Sequence, residues 1–290
     1  MKPGYFHSGA IAATLLGLLG CPSMLGALAI VLCLGCELPK PAAAPAPAVA
    51  VDVELVLAVD VSRSMDLEEF TLQRAGYVEA LRHPDFIDAV MSGQHGRVAI
   101  TYFEWAGTVR EESVVPWEIV NSATSAAAFA AKLEARPFSG FRGTSISGAV
   151  TYGAALFDRN DAEGWRRVID ISGDGPNNFG SPVVRARDAA VAQGIVINGL
   201  PILIRPSRTA AELDRYYAEC VTGGPGSFVL PIRAASEFAM AIRRKLVLEV
   251  SGDTDLLPVV RIDAAAPVDC MAGERDRRIY SDPYFPQLDR

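Results

Sequence analysis

Lysine and histidine are scarce in this chain. Lys132 and Lys245 are the only lysines beyond residue 40, and the three histidines are His7, His83 and His95. That poverty excludes much chemistry. Metal clusters built on imidazole have too few ligands. His83 and His95, in loop or helix-end surroundings, read as solvated surface. No Gly-x-Ser-x-Gly elbow occurs, so a serine hydrolase of that kind lacks its nucleophile turn. No Cys-x-x-Cys pair lies beyond residue 36, which leaves a structural zinc or redox site unsupported. No run of Lys and Arg builds a basic face. The densest basic stretch, Arg275-Asp276-Arg277-Arg278, contains an acid, and the formal net charge is -7. Nucleic acid is therefore a poor partner. There is no internal repeat.

What is present has two parts. From Ile11 to Gly35 the chain is mainly apolar, interrupted at Pro22 and Ser23, and a Pro/Ala tract covers 41–50. The pattern reads as an export signal, a lipoprotein signal or an uncleaved membrane anchor over residues 1–36, followed by a linker over 37–50. The apolar run exceeds the usual core of a signal peptide, about 7–15 residues. Leu18-Leu19-Gly20-Cys21 and Leu34-Gly35-Cys36 both approximate a lipobox. The protein is expected in the periplasm or outside the cell, with this segment as its membrane anchor where it is not cleaved. Of five cysteines, only Cys220 and Cys270 lie outside the N-terminal region. In an oxidising compartment they could pair and staple the tail to the body of the protein. Two unrelated buried thiols are the alternative.

From residue 51 onward, apolar strand-like runs alternate with helical patterns. Strands are expected at 53–60, 98–103, 108–119, 168–172, 195–202 and 228–230. Helices are expected from Asp66, with Glu69 in a capping box, and over 123–135, 145–157, 182–193, 209–219 and 234–249. In the first helix Leu67, Phe70, Tyr77, Val78 and Leu81 form the apolar stripe, with Arg74 interrupting. Alternation of this kind implies an α/β fold. The sheet is Rossmann-like, doubly wound and mostly parallel, with helices on both faces. It would occupy 51–249, with 250–290 a polar, Pro-rich tail carrying a strand-like piece at 258–262.

Three oxygen-rich loops fall where strands end or helices begin. Asp60-Val61-Ser62-Arg63-Ser64 follows the first strand. Arg142-Gly143-Thr144-Ser145 precedes a helix. Ser172-Gly173-Asp174-Gly175 follows another strand. In a parallel sheet such loops share the carboxyl edge, where ligands bind. Asp60, Ser62, Ser64, Thr144 and Asp174 would supply carboxylate and hydroxyl oxygens, which suit magnesium, manganese or calcium. Taken singly, each loop is equally readable as helix capping. Ser145, Ser147 and Asn178 are assigned to capping, with orientation of Asp174 the other role open to Asn178. Asp170, deeper in its strand, is the second choice for the role of Asp174.

With Asp60-x-Ser62-x-Ser64, Thr144 and Asp174 in this order and strand context, the chain resembles a von Willebrand factor A-type domain over roughly 51–248. The resemblance implies a metal-ion-dependent adhesion site and one antiparallel edge hairpin near 98–119. Ser62, Ser64 and Thr144 would be direct ligands. Asp60 and Asp174 would carry charge or act through water, and a partner's carboxylate would complete the shell. The loop Ser-Gly-Asp-Gly-Pro-Asn-Asn departs from the family's more usual Thr-Asp-Gly. The implied function is a non-enzymatic, metal-dependent protein-binding module of the cell envelope, with Mg2+ the first choice of cation. A scaffold whose metal is only structural is a further reading. The rival is a magnesium-dependent phosphatase of haloacid-dehalogenase type, which Gly173-Asp174-Gly175-Pro176-Asn177-Asn178 also resembles. That chemistry needs a second acid two residues after its nucleophile, where this chain has Ser62, and a suitably placed lysine.

Overall fold

The computed structural model describes residues 48–62, 65, 67–137, 140–204, 212–253 and 267–281. The N-terminal segment, Ser64, Asp66 and the piece at 258–262 lie outside them. No helix among the described residues is long and apolar enough to cross a membrane.

Among the described residues the sheet has five strands: β1 (Val49–Asp60), β2 (Val98–Trp105), β3 (Val109–Val120), β4 (Ala162–Gly173) and β5 (Ile195–Pro201). Their order is β3-β2-β1-β4-β5. β1 runs parallel to β2 and β4, and β4 to β5, while β2 and β3 form the antiparallel edge hairpin. The hairpin turns at Ala106–Thr108, so Glu104 and Trp105 belong to the strand. The segment 228–230 adds no sixth strand. It makes one isolated bridge, Val229 with Gly199, and Ile232 just beyond it makes another with Ile202.

β1 is central because both its faces are apolar. Val53, Leu55, Leu57 and Val59 point into one core, and Val56 and Ala58 into the other. This is the period-2 arrangement of a strand covered on both sides. The first core is closed by α1 (Leu67–Arg82), α2 (Pro84–Met91), α3 (Ala123–Glu134) and α7 (Phe238–Ser251). The second is closed by α4 (Ile146–Leu156), α5 (Val183–Val191) and α6 (Leu213–Tyr216). α2, not among the expected helices, buries Phe86 and Val90 one turn apart, and its start is set by local chemistry. Pro84 takes the first helical position, and the His83 side chain accepts the Asp85 N–H.

Two polar features cross the cores. Arg74 does not merely interrupt the α1 stripe. It is buried and pairs with Glu104, which also accepts from the Tyr102 hydroxyl at 2.9 Å. Leu67 departs from the stripe in the other direction and is 67% exposed. On α7, Lys245 is fully buried between Asp170, 2.6 Å away, and Glu249. Tyr77 donates to Asp170 at 3.1 Å and Asn198 to Glu249 at 3.3 Å. Burial, then the charge of Asp170, pushes Glu249 up to about 8.

Cys220 and Cys270 form a disulfide that spans 50 residues of sequence. Closing a loop of that length removes chain entropy worth roughly 4 kcal/mol from the unfolded state. The bridge carries the chain to an eighth helix, α8 (Ala272–Ser281), which the polar composition of the tail does not announce.

Candidate metal centre

Parallel register places the ends of β1 and β4 together. Val59 lies opposite Ser172, and Asp60 follows it at the carboxyl edge. Asp60 is fully buried. Its Oδ1 accepts the Ser62 N–H at 2.7 Å, and its carbonyl accepts from the Gln73 side chain at 3.0 Å. This fixes the turn from β1 towards α1. Oδ2 is buried and makes no hydrogen bond among the described residues. Such an orphaned carboxylate oxygen is costly unless something binds it.

Asp174 is brought beside Asp60 by Gly173. A Cβ at position 173 would stand 2.8 Å from Asp60 Oδ2 and 2.8 Å from the Tyr217 hydroxyl, so only glycine permits this approach. Burial first, and then the charge of Asp174, holds the Asp60 carboxyl well above the usual carboxylate range. Ser62 and the Asp174 amide pull weakly the other way. Two carboxyls in one dry corner call for a cation.

The Thr144 loop closes the third side. Thr144 is buried, and its N–H donates to Asn178 Oδ1 at 2.9 Å. Its carbonyl accepts from the amides of Asn178 and Phe179 at 2.8 and 3.1 Å. The loop is also sewn to the Ser62 segment, because the Phe141 amide donates to the Val61 carbonyl at 3.1 Å. Gly143 has φ +84°, and its Cα region packs against Gly107, so the loop depends on it. Asp60, Ser62, Thr144 and Asp174 therefore sit on three hydrogen-bonded loops at one edge. Ser64 lies outside the described residues.

Several assignments change. Ser145 does cap α4, accepting the Gly148 N–H at 3.2 Å. Ser147 does not. It is buried inside the first turn, and its N–H donates to Asn177 Oδ1 at 3.0 Å. Asn178 neither caps α5, whose N-cap is Pro182, nor holds Asp174. Its side chain binds the Thr144 amide. Asp170 is not a rival ligand, being engaged by Lys245 in the core. Tyr217 was not foreseen. Its buried hydroxyl has no hydrogen-bond partner among the described residues, and burial, then the Asp60 charge, raises its pKa well above the ordinary value. It opens a π-helical turn, Tyr217–Val221, an irregularity frequent at functional sites.

The donor set fits a hard divalent cation. Among the described residues no three His, Cys, Asp or Glu gather as a metal cluster, and the oxygen-bearing side chains on these loops include the carboxyls of Asp60 and Asp174 and the hydroxyls of Ser62 and Thr144. Were the hydroxyls the direct ligands and the carboxyls reached through water, a cation would keep charge enough to attract a further anion.

This fold, with its edge hairpin and three-loop rim, is that of the von Willebrand factor A-type domain. The structure is similar to proximal thread matrix protein 1 from the mussel byssus, determined with a zinc-occupied MIDAS motif (TM-score 0.54, 14% identity). That match covers 71% of this chain and 49% of the mussel protein, so the chain spans about half the length of that relative. It is also similar to the vWF domain of the type V pili tip protein Mfa5 from Porphyromonas gingivalis (TM-score 0.51, 11% identity, 75% of this chain and 99% of that one). A third match is the pilus adhesin SpaC from Lactobacillus rhamnosus GG (TM-score 0.52, 14% identity, 72% of this chain and 31% of that one). No curated protein is significantly similar in sequence. Residues 50–254 match the model of the family described as "Protein of unknown function (DUF1194)", and the chain belongs to that family.

Proposed function

We propose that this protein is a metal-dependent binding module exported to the cell envelope. Ser62, Ser64 and Thr144 would hold the cation, with Asp60 and Asp174 supplying charge nearby. Mg2+ is the first choice, with Mn2+ or Ca2+ the alternatives. When bound, the cation supplies an electrophilic position for a carboxylate from an Asp or Glu of a partner protein. The observation that carries this reading is the buried, unpartnered Oδ2 of Asp60 beside Asp174. The fold shared with an adhesin and a pilus tip protein, and the zinc-occupied MIDAS of the mussel protein, support it. Export rests on the N-terminal apolar segment.

The module performs no hydrolysis in this reading. A phosphatase of the rival kind would transfer the phosphoryl group of acetyl phosphate to Asp60 and release acetate. A second acid must then act as proton donor and acceptor, and position 62 holds serine. Lys245 cannot serve the phosphate, because Asp170 and Glu249 enclose it in the core. Incubation with acetyl phosphate and Mg2+ should leave Asp60 unmodified by mass spectrometry. A trapped adduct, or Mg2+-dependent phosphate release lost in Asp60→Asn, would favour the phosphatase instead.

A further inference from the structure

The rim of this edge is unlike the rest of the surface. Leu67, Phe141 and Phe179 are among the few exposed large apolar side chains, and all three border the metal loops. Phe141 is tied to the Ser62 loop through the Val61 carbonyl. Phe179 donates its amide to the Thr144 carbonyl, and its ring lies against Gly143. Each phenylalanine carries a guanidinium. Arg110 lies 3.4 Å over the Phe141 ring, and Arg277 4.3 Å over the Phe179 ring. Arg142, between them in the Thr144 loop, is exposed. Arg110 is shared with Glu112, whereas Arg277 is exposed and donates to the Asn178 carbonyl at 3.2 Å. In a chain of net charge -7, Arg142 and Arg277 place exposed positive charge at this edge, Arg110 being paired with Glu112. Exposed aromatics with arginine are the composition of interface anchors rather than of solvated surface.

Arg277 reaches this rim because α8 is docked there. Cys270 tethers the segment to Cys220. Glu274 accepts from the Asn177 side chain at 2.7 Å, and a Cβ on Gly273 would stand 2.3 Å from the Asn177 carbonyl oxygen. Asn177 in turn holds the start of α4 through Ser147. The tail is thus part of the third metal loop's support, although it lies beyond the residues that match the family model.

We infer that α8 completes a docking surface for an acidic segment of a partner protein, in which Arg277 binds a second carboxylate while Phe179 and Phe141 take a neighbouring apolar side chain. The first carboxylate is the one assigned to the cation, so the inference rests on that reading.

Two synthetic peptides test it by fluorescence anisotropy with the full chain and Mg2+. One carries a single Asp among Ser and Gly. The other adds a Glu and a Leu within the next residues. The second should bind about tenfold more tightly, as one charge-assisted contact allows. The preference should vanish in Arg277→Gln and persist in Arg82→Gln, at the far end of α1. Gly273→Ala, which lifts α8 from Asn177 while leaving Arg277 in the sequence, should also lose it. Equal affinities for the two peptides, an undiminished preference in Arg277→Gln, or no binding of the second peptide overturns the inference. Metal-dependent binding without preference leaves the metal reading standing alone. An Arg277-dependent preference that survives chelation keeps this inference and removes the metal reading.

Discussion

Replacing Lys245 by Met should destabilise the protein by roughly 3–5 kcal/mol, the cost of stripping one partner from a buried ion pair. Lys245 is the only cation the structure sets between Asp170 and Glu249, and all three are buried among the described residues. Met fills nearly the same volume, so the loss is electrostatic rather than a cavity. Without the ammonium, both carboxyls must be neutral to remain inside. The pH dependence has a defined sign. Glu249 is raised to about 8 by burial and by Asp170. Its favourable contribution is complete below the ordinary glutamate range and is lost as pH rises through about 8. Lys245→Met removes the charge that lowers both carboxyls, so that loss should be larger and extend to higher pH. Denaturant unfolding at pH 6 and pH 9 reads both effects. A variant within about 1 kcal/mol of wild type at both pH values would contradict this account of the core.

The second large effect is the response of stability to metal. Asp60 is raised by burial and by Asp174. In the protein without cation, its favourable contribution is present below the ordinary Asp range and disappears as pH rises through the raised value. A bound cation reverses this, because the ligand form is the carboxylate and protons compete with metal. The shift in Tm on adding Mg2+ should therefore be small at pH 5 and larger at pH 8. At one hundred times Kd the stabilisation is about 2.7 kcal/mol, a shift of roughly 5–10 °C for a domain of this size. Differential scanning fluorimetry at the two pH values checks it. A shift independent of pH would mean that the cation does not use the buried carboxyls.

Residues whose role is local were readable from the chain. The run Val53–Val59 gave β1, and the alternation of runs gave the parallel sheet. Asp60, Thr144 and Asp174 stand out in the sequence because strand-end loops in such a sheet meet at one edge, and the structure sets them on loops of that edge, while their role as ligands is the proposal. What escaped depends on tertiary approach. Tyr217 and Gly173 matter only because a turn of π-helix lies over the end of β4. Asn178 was misassigned because capping is the common local use of Asn, while here its partner is 34 residues away. Arg74 breaks an apolar stripe on paper, and the facing Glu104 on β2, with the Arg136 carbonyl, makes burial of its charge tolerable. α8 has few apolar residues of its own, and its docking is supplied by Gly273, Glu274 and the disulfide.

Calorimetric titration of Mg2+, and separately Mn2+, into the full chain and into Asp60→Ala tests the central claim most directly. The account predicts one saturable site in the wild type. In the variant it should weaken at least about a hundredfold, because a buried charged ligand contributes several kcal/mol. The variant should stay folded, since Asp60 stands at the end of β1 and the substitution removes a carboxyl that burial holds well above its usual range, at the cost of the bond from the Ser62 N–H. Equal binding by the two proteins, or no binding by the wild type, would contradict it.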